Sequence, residues 1–212
     1  MVSIAGALVI NIGTLSTPWI DAMLQAGRKA CAVGIPIVMD PVGCGATAFR
    51  TTTALQLIRE IQPAVIRGNA SEIRALNSAN SSTKGVDSLH TPDQVFEDAH
   101  QLSVRTGCVV SVSGPIDLVV ASDRVARIHN GHPLMTRVTG MGCTASAVTG
   151  AFLAIEADAF AAAVHAMVTM GVAGELAAEN ASGPGSFQMH FLDVLHGLRE
   201  ADVQQLARFT CS

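Results

Sequence analysis

Short apolar runs in this chain lead directly into polar or glycine-rich segments, and helical patterns separate one run from the next. The apolar runs cover 7–12, 35–39, 64–66 and 108–112. Continuous apolar runs of this length are typical of strands that are buried on both faces, as in parallel sheets. Strands that alternate with helices predict an α/β layered fold with a mostly parallel central sheet. Because neither an internal repeat nor a linker interrupts this pattern, we expect residues 1–212 to form one domain.

The helices are predicted from their start signals and apolar stripes. Thr17 and Thr91 each precede a proline, so each is a candidate capping residue for a helix whose first turn suits that proline. Further helices are predicted at 52–61, from Ser71 onward, and at 142–156, 159–181 and 187–199. Two more strands are predicted at 118–121 and 125–128, and a loop at 77–86.

Composition excludes several classes of protein. With 13 Lys+Arg against 17 Asp+Glu and no basic block, the chain is not expected to bind nucleic acid. The five cysteines are odd in number and contain no CxxC pair, which is unlike a disulfide framework or a zinc site, so reduced thiols in the cytoplasm are expected. The apolar tract 159–173 is short for a membrane span and contains His165. We therefore predict a buried helix there and no membrane partner.

Each of the first four strands is followed by polar side chains and glycines. These segments are 11–14, 40–45, 67–72 and 113–115. Ligands of open α/β sheets bind beyond the carboxyl ends of the strands, where these segments would meet. Glycines there let the backbone approach a ligand closely. The four segments together indicate a polyanionic ligand and a metal ion.

Asp40 and Glu72 are the candidate metal ligands, because magnesium takes a few carboxylates and completes its shell with water and phosphate oxygens. The alternative is that Asp40 orders the turn before Pro41 and that Glu72 stabilises a helix N-terminus. Arg67 also ends a strand, and a phosphate would satisfy its planar guanidinium. Its alternative partner is a nearby carboxylate such as Glu72, and the two interpretations of Arg67 are compatible.

The segment 138–146 predicts an anion-binding helix start. Its Gly140-x-Gly142 pattern opens a helix whose free N–H groups would stabilise charge on a transferring phosphoryl group. Cys143 falls in the first turn, where the same field favours a thiolate, so it is a candidate base or nucleophile. The alternative is that Cys143 is a small buried filler. The segment also fits a dinucleotide fingerprint, but helix 142–156 runs into another helix rather than a parallel strand.

An ordered set of motifs resembles the hydroxyethylthiazole kinase family, a ribokinase-like family of thiamine salvage. The motifs are Asn11-Ile12-Gly13-Thr14-Leu15, Asp40-Pro41-Val42-Gly43 with Gly45-Ala46-Thr47, Arg67-Gly68-Asn69 with Glu72, Gly140-x-Gly142-Cys143, and Gly183-Pro184-Gly185-Ser186-Phe187. The resemblance implies a three-layer αβα ribokinase-like fold and transfer of the ATP γ-phosphate to the primary alcohol of 4-methyl-5-(2-hydroxyethyl)thiazole. It also implies a homotrimer whose thiazole sites lie between subunits.

The resemblance assigns roles to individual residues. It implies Mg²⁺ at Asp40 and Glu72, ATP contacts at Arg67 and Ser113, a substrate contact at Gly140 and a catalytic base at Cys143. The helix start itself predicts an anion hole at Gly142 and Cys143. The chain departs from the family pattern at Met141 and Ser113, where the family usually has threonine. The chain also begins after an N-terminal stretch of the family that carries thiazole contacts, so the domain is expected to be N-terminally incomplete.

Two other functions stay open at this point. One is a hydrolase or transferase with Cys143 as nucleophile, which needs a histidine to activate the thiol; His129, His132 and His190 are the candidates. The other is a truncated, catalytically impaired remnant that binds nucleotide.

Overall fold

The computed structural model describes residues 1–79 and 91–212, in which seven strands form one sheet. The strands are β1 Leu8–Asn11, β2 Ile37–Asp40, β3 Val65–Asn69, β4 Val109–Ser113, β5 Asp117–Val120, β6 Val125–Ile128 and β7 Phe209–Cys211. The helices are α1 Thr17–Ala32, α2 Ala48–Ile61, α3 Ala70–Ser78, α4 Pro92–Thr106, α5 Met141–Leu153, α6 Ala159–Ala178, α7 Pro184–Gly197 and α8 Glu200–Leu206.

The strands lie in the sheet in the same order as in the sequence. β1 to β4 pair in parallel, whereas β4 to β7 pair antiparallel. Since two successive antiparallel pairings restore the direction, β6 runs the same way as β1 to β4. The predicted α/β fold with a mostly parallel sheet is therefore confirmed.

Two apolar cores, one on each face of the sheet, make the fold three-layered. In β2, Ile37 and Met39 face a core that they share with α1 to α4, and Val38 faces a core with α5 to α7. This alternation follows from the pleat of a strand, which sends successive side chains to opposite faces. Because both faces are covered by helices, both sets of side chains are apolar. The predicted three-layer arrangement is confirmed.

β1, which corresponds to the strand predicted at 7–12, is not buried on both faces as its apolar run predicts. In β1, which pairs with β2 alone among the described strands, Ile10 is the one buried residue and Val9 is 37% exposed. A strand with one paired neighbour leaves part of its surface uncovered, and the apolar run did not reveal this position in the sheet.

Several helices begin a few residues away from their predicted starts. Ser16, not Thr17, precedes the first turn of α1, and its side chain makes no capping hydrogen bond. Thr91 caps α4 as predicted, by accepting a hydrogen bond from the backbone N–H of Gln94. The helix predicted at 52–61 begins at Ala48, and the helix predicted at 187–199 begins at Pro184, a proline that suits a first helical position.

Other sequence predictions have mixed outcomes. α8 and β7 were not predicted, because neither has a clear apolar period. The predicted loop 77–86 begins within the last two residues of α3, and from residue 80 onward it lies outside the described residues. The tract 159–173 is confirmed as part of the buried helix α6, which is long and apolar enough to cross a membrane but is 67% buried within this fold.

Candidate active site

The pleat of the strands brings polar side chains together beneath α5. A Cβ atom on Gly150 of α5 would contact Val9 and Val38, so these valines face that helix. Val65 and Val109 belong to the same core. Two residues further along each strand, the same face carries polar side chains, namely Asn11, Asp40, Arg67 and Ser111. Val38, Val65 and Val109 thus pack in the core, while Asn11, Asp40 and Arg67 reach the N-terminal end of α5.

A cleft of about 800 Å³ lies where these strands end. All the sequence-predicted site residues line it, namely Asp40, Arg67, Glu72, Ser113, Gly140, Gly142 and Cys143. The structure therefore gathers into one place residues that come from three strands and two helix starts.

Asp40 is 2% exposed, and one of its two carboxylate oxygens accepts hydrogen bonds from neighbouring side chains. Its Oδ2 accepts hydrogen bonds from Asn11 Nδ2 at 2.8 Å and from Ser146 Oγ at 2.8 Å. No residue of the described ranges donates to Oδ1. Burial raises the pKa of the Asp40 carboxyl, and the hydrogen bond from Ser146 and the charge of Arg67 oppose that rise. The carboxylate thus keeps one oxygen for a ligand in the cleft.

Glu72 closes the N-terminus of α3. Its Oε1 accepts from the backbone N–H of Gly43 at 2.9 Å, and its Oε2 accepts from that of Asn69 at 2.8 Å. The Asn69 side chain accepts in turn from the backbone N–H of Glu72 at 3.0 Å, which completes a capping box. The interpretation of Glu72 as a residue that stabilises a helix N-terminus is therefore confirmed. Each carboxylate oxygen still has a second lone pair for a ligand.

Arg67 is buried and makes no salt bridge within the described parts of the chain. Its Nε atom has no hydrogen-bond partner, and the side chain is 6% exposed. The alternative ion pair with Glu72 is wrong, because both oxygens of that carboxylate face backbone N–H groups instead. The carboxyl groups of Asp40 and Asp117 interact electrostatically with Arg67, but its Nε donor is left without an acceptor. A buried donor without an acceptor is costly, so the arrangement favours an anionic ligand in the cleft.

The start of α5 supplies further donors. Gly140 precedes the helix with φ of 91°, a conformation that favours glycine, and offers no side chain to cap it. The first helical hydrogen bond runs from Thr144 N to Gly140 O, which leaves the N–H groups of Met141, Gly142 and Cys143 without a helical acceptor. Met141 departs from the family's threonine but still contributes this N–H group.

Cys143 is exposed at the cleft, so the alternative of a buried filler is wrong. Its Sγ accepts a hydrogen bond from Asn11 Nδ2 at 3.4 Å. Among the residues described, no histidine bonds to this thiol; His132 also lines the cleft, but its Nδ1 accepts from the backbone N–H of Leu134 at 3.2 Å. The cysteine–histidine pair that a hydrolase would need is absent from the described residues.

Ser113 and Asp117 form the opposite wall. Ser113 Oγ donates weakly to the Gly68 carbonyl at 3.5 Å. Asp117 Oδ1 accepts from the backbone N–H of Gly114 at 2.8 Å, and burial raises the pKa of Asp117 to about 6. Sequence analysis did not single out Asp117 or Ser146. The position of Asp117 directly after the Ser113 segment was the available signal.

The remainder of the cleft is partly apolar, and Asn130, His132 and Thr136 also line it. Its lining includes Pro115, Pro133, Met135, Val138, Met167 and Met170. Thioether side chains adapt to flat aromatic groups, and such a surface suits a nucleotide base.

Across the described ranges, no three His, Cys, Asp or Glu side chains group closely enough to hold a metal by themselves. A metal ion here would complete its shell with water and substrate.

Comparisons with known proteins agree with this geometry. A family model described as the hydroxyethylthiazole kinase family matches residues 1–201. The chain is 51% identical to a hydroxyethylthiazole kinase of Nitratidesulfovibrio vulgaris over 208 residues, which cover 98% of this chain and 78% of the relative. It is 51% identical over 209 residues to a protein of the same name from Syntrophus aciditrophicus, covering 98% and 77%.

Solved structures show the same likeness. The hydroxyethylthiazole kinase protein from Pyrococcus horikoshii superimposes with a TM-score of 0.91 at 36% identity, over 100% of this chain and 79% of that one. A pyridoxal kinase from Staphylococcus aureus in complex with AMP-PCP has a TM-score of 0.62 at 19% identity, over 82% of this chain and 64% of that one. At that identity the second likeness shows the ribokinase-like fold alone.

Proposed function

The chain belongs to the hydroxyethylthiazole kinase family, and from this premise we propose that its cleft transfers the γ-phosphoryl group of ATP to the primary alcohol of 4-methyl-5-(2-hydroxyethyl)thiazole. One observation carries the proposal above the others. The buried guanidinium of Arg67, whose Nε has no acceptor among the described residues, lies against the start of α5, where three backbone N–H groups have no helical acceptor. This part of the cleft suits the phosphates of a nucleotide.

Arg67 and α5 are proposed to bind the phosphates, with Ser113 as a further ATP contact and the Gly140 backbone as a substrate contact. The Arg67 guanidinium supplies planar, charged donors, and the N–H groups of Gly142 and Cys143 form the anion hole. These donors are already oriented in the fold, so they need little rearrangement when negative charge develops in the transition state. Phosphoryl transfer depends mostly on such positioning and charge stabilisation.

The residues present fit a magnesium ion. Asp40 Oδ1 receives no hydrogen bond from the described residues, and Glu72 keeps one lone pair on each oxygen. Two carboxylates with water and phosphate oxygens form a set that magnesium accepts. We propose that Asp40 and Glu72 hold Mg²⁺ at this position. When bound, the ion neutralises charge on the nucleotide phosphates.

Cys143 is proposed to be the catalytic base. The alcohol oxygen forms the new bond to the γ-phosphorus, the bond from that phosphorus to the ADP oxygen breaks, and the alcohol proton passes to Cys143, which takes part as the thiolate and ends as the thiol. Exposure of the thiol at the cleft supports this role. A positioned base contributes about 10²- to 10⁴-fold to a rate.

A coupled assay of ADP release tests the function. With ATP, Mg²⁺ and the thiazole alcohol, we expect ADP release that requires the alcohol, and the product should carry one phosphate by mass spectrometry. Pyridoxal serves as a control alcohol that should give little release. Nucleotide binding without alcohol-dependent ADP release would overturn the proposed reaction and support the non-catalytic alternative.

We further propose that the single kinase domain 1–212 acts in the cytoplasm as a homotrimer with thiazole sites between subunits. Support comes from β1 and the start of α1, where Val9 and Trp19 are 37% and 58% exposed and line one surface pocket with Asn11, whose side chain contacts Cys143 of the cleft. All five cysteines are free thiols, as a reducing compartment permits. Light scattering should give a mass of three chains, and Trp19→Glu should lower it. A fully active monomer would contradict the trimer.

A further inference from the structure

The side-chain amide of Asn11 is fixed by three hydrogen bonds. Its Nδ2 donates to Asp40 Oδ2 at 2.8 Å and to Cys143 Sγ at 3.4 Å. Its Oδ1 accepts from the backbone N–H of Gly13 at 2.8 Å. A flipped amide would point its carbonyl at the Asp40 carboxylate and its amino group at the Gly13 N–H. The partners therefore allow one orientation, in which both hydrogens of Nδ2 are used.

We infer, on the basis of the proposed function, that Asn11 is a positioning residue that holds the thiolate of Cys143 in the cleft and links it to the Asp40 carboxylate. One nitrogen atom donates to both groups. The proposed base and a proposed metal ligand are thereby held at a set separation. The contact with Cys143 joins the end of β1 to the first turn of α5.

An amide suits this position better than a charged side chain. The Asp40 carboxylate and a Cys143 thiolate are both anionic, and a neutral donor between them stabilises both without adding charge. An aspartate at position 11 would remove the donor and add a third negative charge. Arg67 and Glu72 also line the cleft near Asp40, and their charges influence its carboxyl in opposite directions.

The backbone N–H of Gly13 helps to fix the Asn11 amide, and Gly13 leaves no room for a side chain next to it. A Cβ atom on Gly13 would lie 2.8 Å from Asn11 Oδ1, which is closer than a side chain tolerates. Gly13→Ala would therefore displace the amide while leaving Asn11 and its chemistry in the chain. This gives a second variant that disturbs the same contact from another position.

The first experiment compares Asn11→Ala and Asn11→Asp with the wild type, using Asn180→Ala on an exposed turn as a matched control. The readouts are kcat, the KM for ATP, and the rate of iodoacetamide alkylation at Cys143, followed by mass spectrometry at one pH. Loss of a hydrogen bond to an anionic sulfur should slow alkylation and lower kcat about tenfold each in Asn11→Ala, and more in Asn11→Asp. In Asn11→Ala, the KM for ATP should stay within about twofold because the phosphate donors are untouched.

The second experiment separates this inference from the proposed function. In a Cys143→Ala background, Asn11→Ala should cost no further kcat if it acts through the thiol. A fully additive loss, or an unchanged alkylation rate at Cys143, overturns the positioning role even if kinase activity is normal. Conversely, a fully active Cys143→Ala variant overturns the base role of Cys143. The alkylation rate of the Asn11 variants then tests by itself whether Asn11 positions the Cys143 sulfur. If Asn11→Ala does not fold, Gly13→Ala supplies the same alkylation test, with slower alkylation expected and an unchanged rate contradicting the inference.

Discussion

The Nη1 atom of Arg67 lies 2.7 Å from the point that a Cβ atom on Gly142 would occupy. Only a residue without a side chain lets the guanidinium approach the first turn of α5 this closely. The approach brings a buried cation next to the free backbone N–H groups of α5. Position 142 therefore needs glycine because Arg67 of β3 occupies the space of a side chain. The backbone of Gly142 is helical and does not itself require glycine.

Gly142→Ala is expected to displace the Arg67 guanidinium and raise the KM for ATP by about tenfold or more, the value of one or two lost charge-assisted hydrogen bonds. Alanine favours helix formation, so the effect should appear in nucleotide binding rather than in helix content. Titration with ATP and steady-state kinetics measure it. Gly197→Ala, where a Cβ would meet nothing within 4 Å, is the matched control. An unchanged KM for ATP in Gly142→Ala would show that Arg67 does not bind the nucleotide.

Asp40→Asn is expected to raise the Mg²⁺ concentration that gives half-maximal activity by about tenfold or more, since a neutral amide binds a divalent cation poorly. The amide oxygen can still accept from Asn11 and Ser146, so the local fold should persist. Thermal unfolding with ADP and increasing Mg²⁺ gives a readout apart from activity, in which the variant should gain less stability than the wild type. Asp193→Asn, on an exposed helix position, is the control. Equal Mg²⁺ dependence in both variants would argue against a metal at Asp40.

Cys143→Ser is expected to lower kcat by about 10²-fold or more, because a serine hydroxyl is a much weaker acceptor of the alcohol proton. The KM for ATP should change little, since the backbone N–H groups of α5 remain. Cys211→Ser, an exposed cysteine on β7, controls for the loss of a thiol elsewhere. Steady-state kinetics with both substrates checks the expectation. Unchanged turnover in Cys143→Ser would discard the base role.

Asp117→Asn is expected to change how stability depends on pH. The pKa of Asp117 is raised from 3.8 to about 6 in the folded protein, so the folded state holds this proton more tightly than the unfolded state does. The free energy of unfolding therefore falls as pH rises from about 4 to about 6, by at most about 3 kcal/mol from this group. Asparagine removes the ionisation and still accepts from the Gly114 N–H.

Urea unfolding of both proteins at pH 4 and pH 7.5 measures this difference. Asp117→Asn should match the wild type near pH 4 and exceed it at pH 7.5. Other titrating groups are common to both proteins, so they cancel in the comparison. A difference that does not vary between the two pH values would contradict a raised pKa at Asp117.

Local patterns in the sequence were enough to predict much of the site. The polar segments that follow the apolar runs contain Asp40, Arg67, Glu72 and Ser113, and all of them line the cleft. This works because a strand has a period of two residues and parallel strands end on the same side of a sheet. The capping interaction of Glu72 with Asn69 spans three residues, so it too was within reach of a local pattern.

What the sequence determined by itself was therefore the α/β class, the buried helix at 159–173 and the group of side chains at the strand ends, since each depends on neighbours along the chain. Only the tertiary structure decided that Asn11 contacts Cys143, that Arg67 meets Gly142 rather than Glu72, and that β1 lies at an exposed side of the described sheet. These relationships join residues far apart in sequence. Their geometry is set by the packing of α5 against the sheet, which no local period of hydrophobicity encodes.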